Sequence, residues 1–197
     1  IGLSSGACVV VSQHYGAGEC DMVRKAVHTA ILFSVVIGAV MTALGIFMAR
    51  PVLVLLDPPA DTLTDSIVYL QWYFAGMIPS MVYNMGAGIL RAVGDSRRPL
   101  YFLIVCALAN TALDLLFVAG FRLGTAGAAI ATSLLQLICA GLVVWTLARI
   151  PGACRLQLSE LRFDRSLLGR MTAIGLPAGL QSTVFTFSNV CIQSTLN

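Results

Sequence analysis

The chain has 197 residues, of which 58% are hydrophobic and only 11% charged, with a net charge of +3. Soluble domains carry roughly 25% charged residues, so this composition excludes an ordinary water-exposed surface and predicts an all-α polytopic membrane protein. No Lys/Arg-rich run with interleaved aromatics occurs, which argues against a nucleic-acid partner.

Taken in order, the chain opens on Ile1 inside an apolar run, and residues 1–13 read as the end of a span. Lys25 and Arg50 bracket 24 residues without Asp, Glu, Lys or Arg, predicting a span over 26–49. Pro58 and Pro59 break the following loop, and Asp61 is a fair N-cap for the next helix. Asp65 and Arg91 bracket a further 25 residues, predicting a span over 66–90 that contains Pro79. Gly94-Asp95-Ser96 forms a turn, and Pro99 suits a helix first turn. Spans over 99–121 and 123–148 follow, the first carrying one acid, Asp114, and the second carrying none. Each of these four spans meets the ~20 apolar residues needed to cross about 30 Å of hydrocarbon. Residues 149–170 are polar, and LQLSELRFDRSLL reads as a short amphipathic helix on the membrane surface. Residues 171–197 form most or all of a last span, interrupted by Pro177. Proline there, as at Pro79, predicts either a kink held by neighbours or a cavity-lining break. The chain is read as an internal piece of a longer protein.

The cations fix the expected sidedness. Ten of the twelve Lys/Arg residues fall in 20–25, 91–98 and 149–170, against Arg50 and Arg122 in the alternate connections. This bias makes the loops 14–25, 91–98 and 149–170 cytoplasmic. His14 and His28 then lie near the inner surface, where solvated or interfacial roles are expected. Cys8, Cys20, Cys106, Cys139, Cys154 and Cys191 show no CxxC spacing, so neither a structural disulfide nor a zinc site is expected. Tyr69, Trp72 and Tyr73 suit an interfacial aromatic belt or, alternatively, a wall for a lipophilic cation. Gly124 with Ala128, and Gly127 with Ala131, suit close helix packing in lipid.

Asp114 is the residue most in need of explanation. A carboxylate inside a span persists when it faces a partner, a cavity, an ion or a proton. Asn110 lies one helical turn before it on the same face. Counting at ~1.5 Å per residue places Asp114 about 10 Å, Thr132 about 14 Å and Asn110 about 16 Å below the helix ends. A carboxylate, an amide carbonyl and a hydroxyl at one level are hard oxygen ligands, suited to a proton or a small hard cation. The alternative is that Asp114 bonds Asn110 or a neighbouring helix and fixes packing. Gln71, Asn84, Gln136, Gln181 and Asn189 are further polar positions that suit a cavity lining, although interhelical hydrogen bonds are the commoner role. No phosphate-binding GxxxxGK[ST] loop, HExxH or GxSxG occurs, and no catalytic residue is identified.

Several stretches carry a resemblance. GLSSGACVVVSQHYGAG at Gly2–Gly18, GILRAVGDSRRPLYF at Gly88–Phe102, NTALDLLF at Asn110–Phe117 with GTAGAAIATSLLQ at Gly124–Gln136, and GLPAGLQSTVFTFSNVCIQSTLN at Gly175–Asn197 are involved. With these, the chain resembles the multidrug and toxic compound extrusion (MATE) family of cation-coupled antiporters. The resemblance implies twelve helices in two six-helix bundles around a cavity. Residues 1–148 would be a partial N-terminal bundle, from the end of helix two through helix six. Residues 149–170 would be the cytoplasmic linker, and 171–197 the first helix of the C-terminal bundle. It implies a multi-pass cell-membrane protein, not an enzyme, that acts as a monomer with lipid and a small organic substrate as partners. The expected activity is efflux of amphipathic or cationic organic compounds driven by entry of Na+ or H+, with no cofactor. It further implies that Asn110, Asp114 and Thr132 bind the coupling cation or proton, serving as metal ligands if that ion is Na+. An acidic partner on helix one is also implied, and it lies outside this chain. Substrate-binding residues are not identified. A flippase for lipid-linked saccharides is the alternative in the same superfamily, but it calls for a basic cavity and the spans hold no Lys or Arg. A membrane-embedded enzyme is the remaining alternative, lacking visible acid–base pairs.

Overall fold

The computed structural model describes residues 2–55, 60–121, 124–152, 154–157 and 160–196. Seven α-helices form among them: α1 (Gly2–Gly16), α2 (Cys20–Leu55), α3 (Ala60–Ala75), α4 (Met77–Ala92), α5 (Arg97–Asp114), α6 (Gly124–Arg149) and α7 (Arg165–Leu196). A π-helical segment, Leu115–Gly120, extends α5. No strand occurs among the described residues. Cys20–Val54, Arg97–Gly120 and Gly124–Arg149 are long and apolar enough to cross a membrane. Pro58, Pro59, Arg122 and Leu123 lie outside the described residues.

The chain divides into two compact units. The first comprises Ile1–Phe33, Asn84–Asp95 and Leu147–Asn197. Its core is formed by Val10 and Val11 of α1, Val23 and Val27 of α2, Ile89 and Leu90 of α4, and Leu167 and Met171 of α7. α1 and α7 touch through glycine. A Cβ on Gly6 would lie 2.7 Å from the Gly175 nitrogen, and one on Gly175 would lie 2.9 Å from the Leu3 Cα. Gly2, Gly6, Gly175 and Gly179 therefore form a paired four-residue spacing that lets two backbones meet. Pro177 lies between the two α7 glycines and is exposed, and α7 is continuous through it.

The second unit comprises Ser34–Tyr83 and Ser96–Thr146. The span expected over 66–90 is not one helix, because α3 ends at Ala75 and α4 starts at Met77. Pro79 has no N–H to return to the Ala75 carbonyl, so the ladder is interrupted there. Neighbouring hydroxyls take up carbonyls at the end of α3. Thr42 of α2 donates to the Phe74 carbonyl at 2.8 Å, and Ser133 of α6 donates to the Trp72 carbonyl at 2.7 Å. Gly38 permits the approach of α2 to α4, since a Cβ there would lie 2.7 Å from the Ile78 Cα. α3 begins at Ala60, so Asp61 falls within the helix.

The amphipathic helix expected over LQLSELRFDRSLL does not form as such. The described residues of 155–164 contain no α-helix, and α7 begins at Arg165. Asp164 sets that start, its Oδ1 accepting the N–H groups of Ser166 at 3.0 Å and Leu167 at 3.2 Å. The segment instead lies along α2, held by hydrogen bonds. His28 Nδ1 donates to the Arg24 carbonyl at 2.7 Å, leaving Nε2 to accept the Gln157 N–H at 3.0 Å. Thr29 Oγ1 donates to the Arg162 carbonyl at 3.3 Å and accepts the Asp164 N–H at 3.1 Å. Arg24 donates to Gln157 Oε1 at 2.7 Å and pairs with Glu160. Over these residues lies an open cleft of about 600 Å³ whose wall also carries Lys25 and Phe163.

Candidate cation site

Asn110 and Asp114 stand one turn apart near the end of α5, and Thr132 stands on α6. A covalent link sets the register of these two helices. Cys106 of α5 and Cys139 of α6 are joined in a disulfide, with Cα atoms 6.7 Å apart. This corrects the expectation of unpaired cysteines. The spacing test looks for neighbours in sequence, whereas an antiparallel helix pair brings residues 33 apart face to face. Counted from the bridge at 1.5 Å per residue, Asp114 is about 12 Å along α5 and Thr132 about 10 Å along α6 in the same direction. The carboxylate and the hydroxyl thus share a level, with Asn110 about one turn nearer the bridge.

The local chemistry leaves these oxygens ready to accept. Asp114 Oδ1 is buried and has no hydrogen-bond partner. Such an atom carries the desolvation cost of an unmet acceptor, about 1–3 kcal/mol and more for a charged group. Thr132 spends its proton on its own helix, donating to the Ala128 carbonyl at 2.9 Å, and its oxygen can still accept. Asp114 is also where α-helix gives way to the π-helical segment. π-turns widen a helix and recur at functional sites. No sequence signal announced this one.

A residue that the sequence offered as a cavity-lining position or, more commonly, an interhelical hydrogen bond also belongs in this description. Gln136, one turn beyond Thr132 on α6, has a buried Oε1 without a hydrogen-bond partner. It lies against the break between α3 and α4, where a Cβ on Gly76 would sit 3.2 Å from that oxygen and 3.0 Å from Ser133 Oγ. The helix break, which hydropathy alone could not show, puts this amide at the interruption. Among the described residues no cluster of three His, Cys, Asp or Glu side chains could hold a metal. A cation here would be held by mixed neutral and charged oxygens.

Both histidines depart from expectation. His28 is buried, with Nδ1 bonded to its own helix and Nε2 to the linker, as described above. His14 is 8% exposed, with Nδ1 2.6 Å from Glu19 Oε2 and Nε2 lacking a partner. The positive φ of Gly18 turns the chain between them. Each imidazole packs its ring as core and ties together two segments at the end of a span.

A helical chain with three membrane-length apolar helices among its described residues is a polytopic membrane protein. The family described as MatE matches residues 1–116. The chain belongs to that family, which consists of transporters and not of enzymes. It is 30% identical, over its whole length, to the probable multidrug resistance protein YpnP of Bacillus subtilis. It is 27% identical to the FAD transporter of Shewanella oneidensis, again over its whole length. In each case it spans 44% of the relative, so the chain covers less than half the length of these curated proteins. The fold matches that of a multidrug resistance MATE family transporter solved facing outward, with TM-score 0.89 over 98% of this chain and 43% of that one at 21% identity. An inward-facing structure of such a transporter matches with TM-score 0.84 over 91% of this chain and 41% of that one, at 22% identity.

Proposed function

We propose that the protein carrying this chain is a secondary active efflux transporter, expelling amphipathic or cationic organic compounds in exchange for an entering Na+ or H+. Residues 1–148 are part of its N-terminal bundle, 149–170 the cytoplasmic linker and 171–197 the first helix of the C-terminal bundle. The observation that carries the reading is the buried Asp114 Oδ1 with no donor, on a membrane-length helix. A fold with only packing to do gains nothing by keeping that acceptor unmet. Asn110, Asp114 and Thr132 bind the entering ion. Loading them supplies the positive charge this carboxylate lacks, which changes the packing of α5 on α6 and couples ion entry to substrate release. The relatives named for multidrug resistance support the substrate class. The ion-pair and hydrogen-bond clamp at 155–164 supports a fixed linker, and the expected cytoplasmic segments 14–25 and 149–170 belong to one compact unit together with 91–95.

The test is transport by the complete protein in proteoliposomes under an imposed Na+ or pH gradient. The expected result is gradient-driven efflux that Asp114→Asn abolishes while the protein stays folded. Undiminished coupled transport by that variant would overturn the assignment.

A further inference from the structure

We infer that Gln136 supplies a carbonyl oxygen to the coupling cation, and that the cation it selects is Na+. The inference rests on the transport reading above and extends its site to a residue outside the original three. Two observations meet here. The first is chemical. In the second unit, the buried side-chain oxygens without a hydrogen-bond partner among the described residues are Asp114 Oδ1 and Gln136 Oε1. Both are acceptors, so what is missing is positive charge or donors, not further oxygens.

The second observation is geometric. Each α-helical residue turns about 100°. From Cys106, which faces α6, Asn110 and Asp114 are rotated by about 40° and 80°. From Cys139, which faces α5, Thr132 and Gln136 are rotated by about 20° and 60°. The helices run antiparallel and share one handedness, so both rotations open toward the same side of the pair. Heights above the bridge are about 12 Å for Asp114, 10 Å for Thr132, 6 Å for Asn110 and 4–5 Å for Gln136. The four side chains form two tiers, a carboxylate with a hydroxyl and an amide with an amide.

The break at Gly76 borders the lower tier. Its missing side chain lets the Gln136 carbonyl lie against the backbone, 3.2 Å from where a Cβ would stand. Ser133 beside it already donates to the Trp72 carbonyl, so it does not supply Gln136 with a proton. A single added proton makes one hydrogen bond and leaves one of the two acceptors short. A hard monovalent cation draws on several oxygens together, including neutral amide carbonyls that hold no proton at physiological pH. The added carbonyl therefore favours Na+ over H+.

The experiment measures Na+ binding to the complete purified protein by equilibrium dialysis with radioactive sodium, for wild type and variants, with thermal unfolding checked for each. Gln136→Met keeps length and removes the carbonyl. Its Na+ affinity is expected to fall ten-fold or more, with substrate affinity in Na+-free buffer unchanged. Gln136→Glu retains an oxygen and adds charge. It is expected to bind Na+ more tightly than wild type, and unchanged or weaker binding there overturns the inference if Gln136→Met fails to fold. Wild-type Na+ affinity in Gln136→Met, a ten-fold loss in Gln136→Glu, or a wild-type protein that binds no Na+, would overturn the inference. Asp114→Asn separates the two levels. Loss of gradient coupling there, with Na+ affinity intact in Gln136→Met, removes Gln136 from the site and leaves the transport reading standing. Normal coupling in Asp114→Asn removes both.

Discussion

The linker against α2 and the α5–α6 pair treat buried polar atoms in opposite ways. Along α2, both ring nitrogens of His28 and the hydroxyl of Thr29 have partners on the 155–164 segment or on α2 itself. On α5 and α6, Asp114 Oδ1 and Gln136 Oε1 have none. Both regions pair chain segments that are distant or opposed in sequence, so distance along the chain does not explain the contrast. A structural joint lowers its energy by completing every hydrogen bond. A site that must take up and release an ion keeps acceptors open and accepts the loss of stability. His14 Nε2 is the exception in the first unit, an unpartnered nitrogen whose ring is otherwise held by Glu19 at the α1–α2 turn.

Mutations break that contrast in measurable steps. The largest effect on activity is expected from Asp114→Asn, as stated above, and it has a second signature. Because the change removes the charge from an unmet acceptor and adds donors, thermal unfolding should occur at the wild-type temperature or higher. A lowered midpoint would mean that Asp114 has a stabilising partner. The largest effect on stability is expected where two backbones touch. Gly6→Leu forces a side chain into the Gly175 backbone, and overpacking of this kind costs typically 1–3 kcal/mol. Detergent-solubilised protein should show this as a lower unfolding midpoint.

His28→Leu strands the Gln157 N–H, for an expected cost of about 1–3 kcal/mol, while the Arg24 carbonyl keeps its helical partner. Thr29→Val should cost about 1 kcal/mol by the same logic. The two residues share one segment, so the double variant is expected to be non-additive in a thermal-unfolding cycle. Coupled transport at a temperature where both proteins are folded should change little, in contrast to Asp114→Asn.

The smallest effect concerns thiols. Burial pushes the Cys154 thiol above its ordinary range, and the nearby Cys20 adds to that. Cys20 is exposed and should react first with a membrane-impermeant maleimide, with Cys154 following only at alkaline pH. The sign follows from the raised value. Any stability from the buried neutral thiol is complete below the unfolded-state pKa and is lost as pH rises through the folded one. Equal labelling of both at neutral pH would contradict the burial of Cys154.

Much of this contrast could be read from the sequence, though unevenly. Asp114 stood out because one acid in an apolar span is costly, and Asn110 joined it through helical spacing alone. Gln136 stood in the same sequence with no feature separating it from Gln71 or Gln181. Its distinction is an empty hydrogen-bonding position, and that depends on where Gly76 and Ser133 fall. The 66–90 stretch looked continuous because hydropathy averages over a window, and Pro79 alone did not choose between a kink and a break. The segment at 155–164 had an amphipathic pattern but met a ready set of donors and acceptors on α2. Its backbone bonded outward instead of to itself.

The sequence by itself determined the solvent, three membrane-length apolar helices and the expected sides of the membrane, because hydropathy and charge act residue by residue. It also set which residues share a helical face. Tertiary structure decided which polar atoms were satisfied, since His28 meets Gln157 across 129 residues and Cys106 meets Cys139 across 33. A buried hydrogen bond is a property of two groups in one place, and no local pattern records whether the second group arrives.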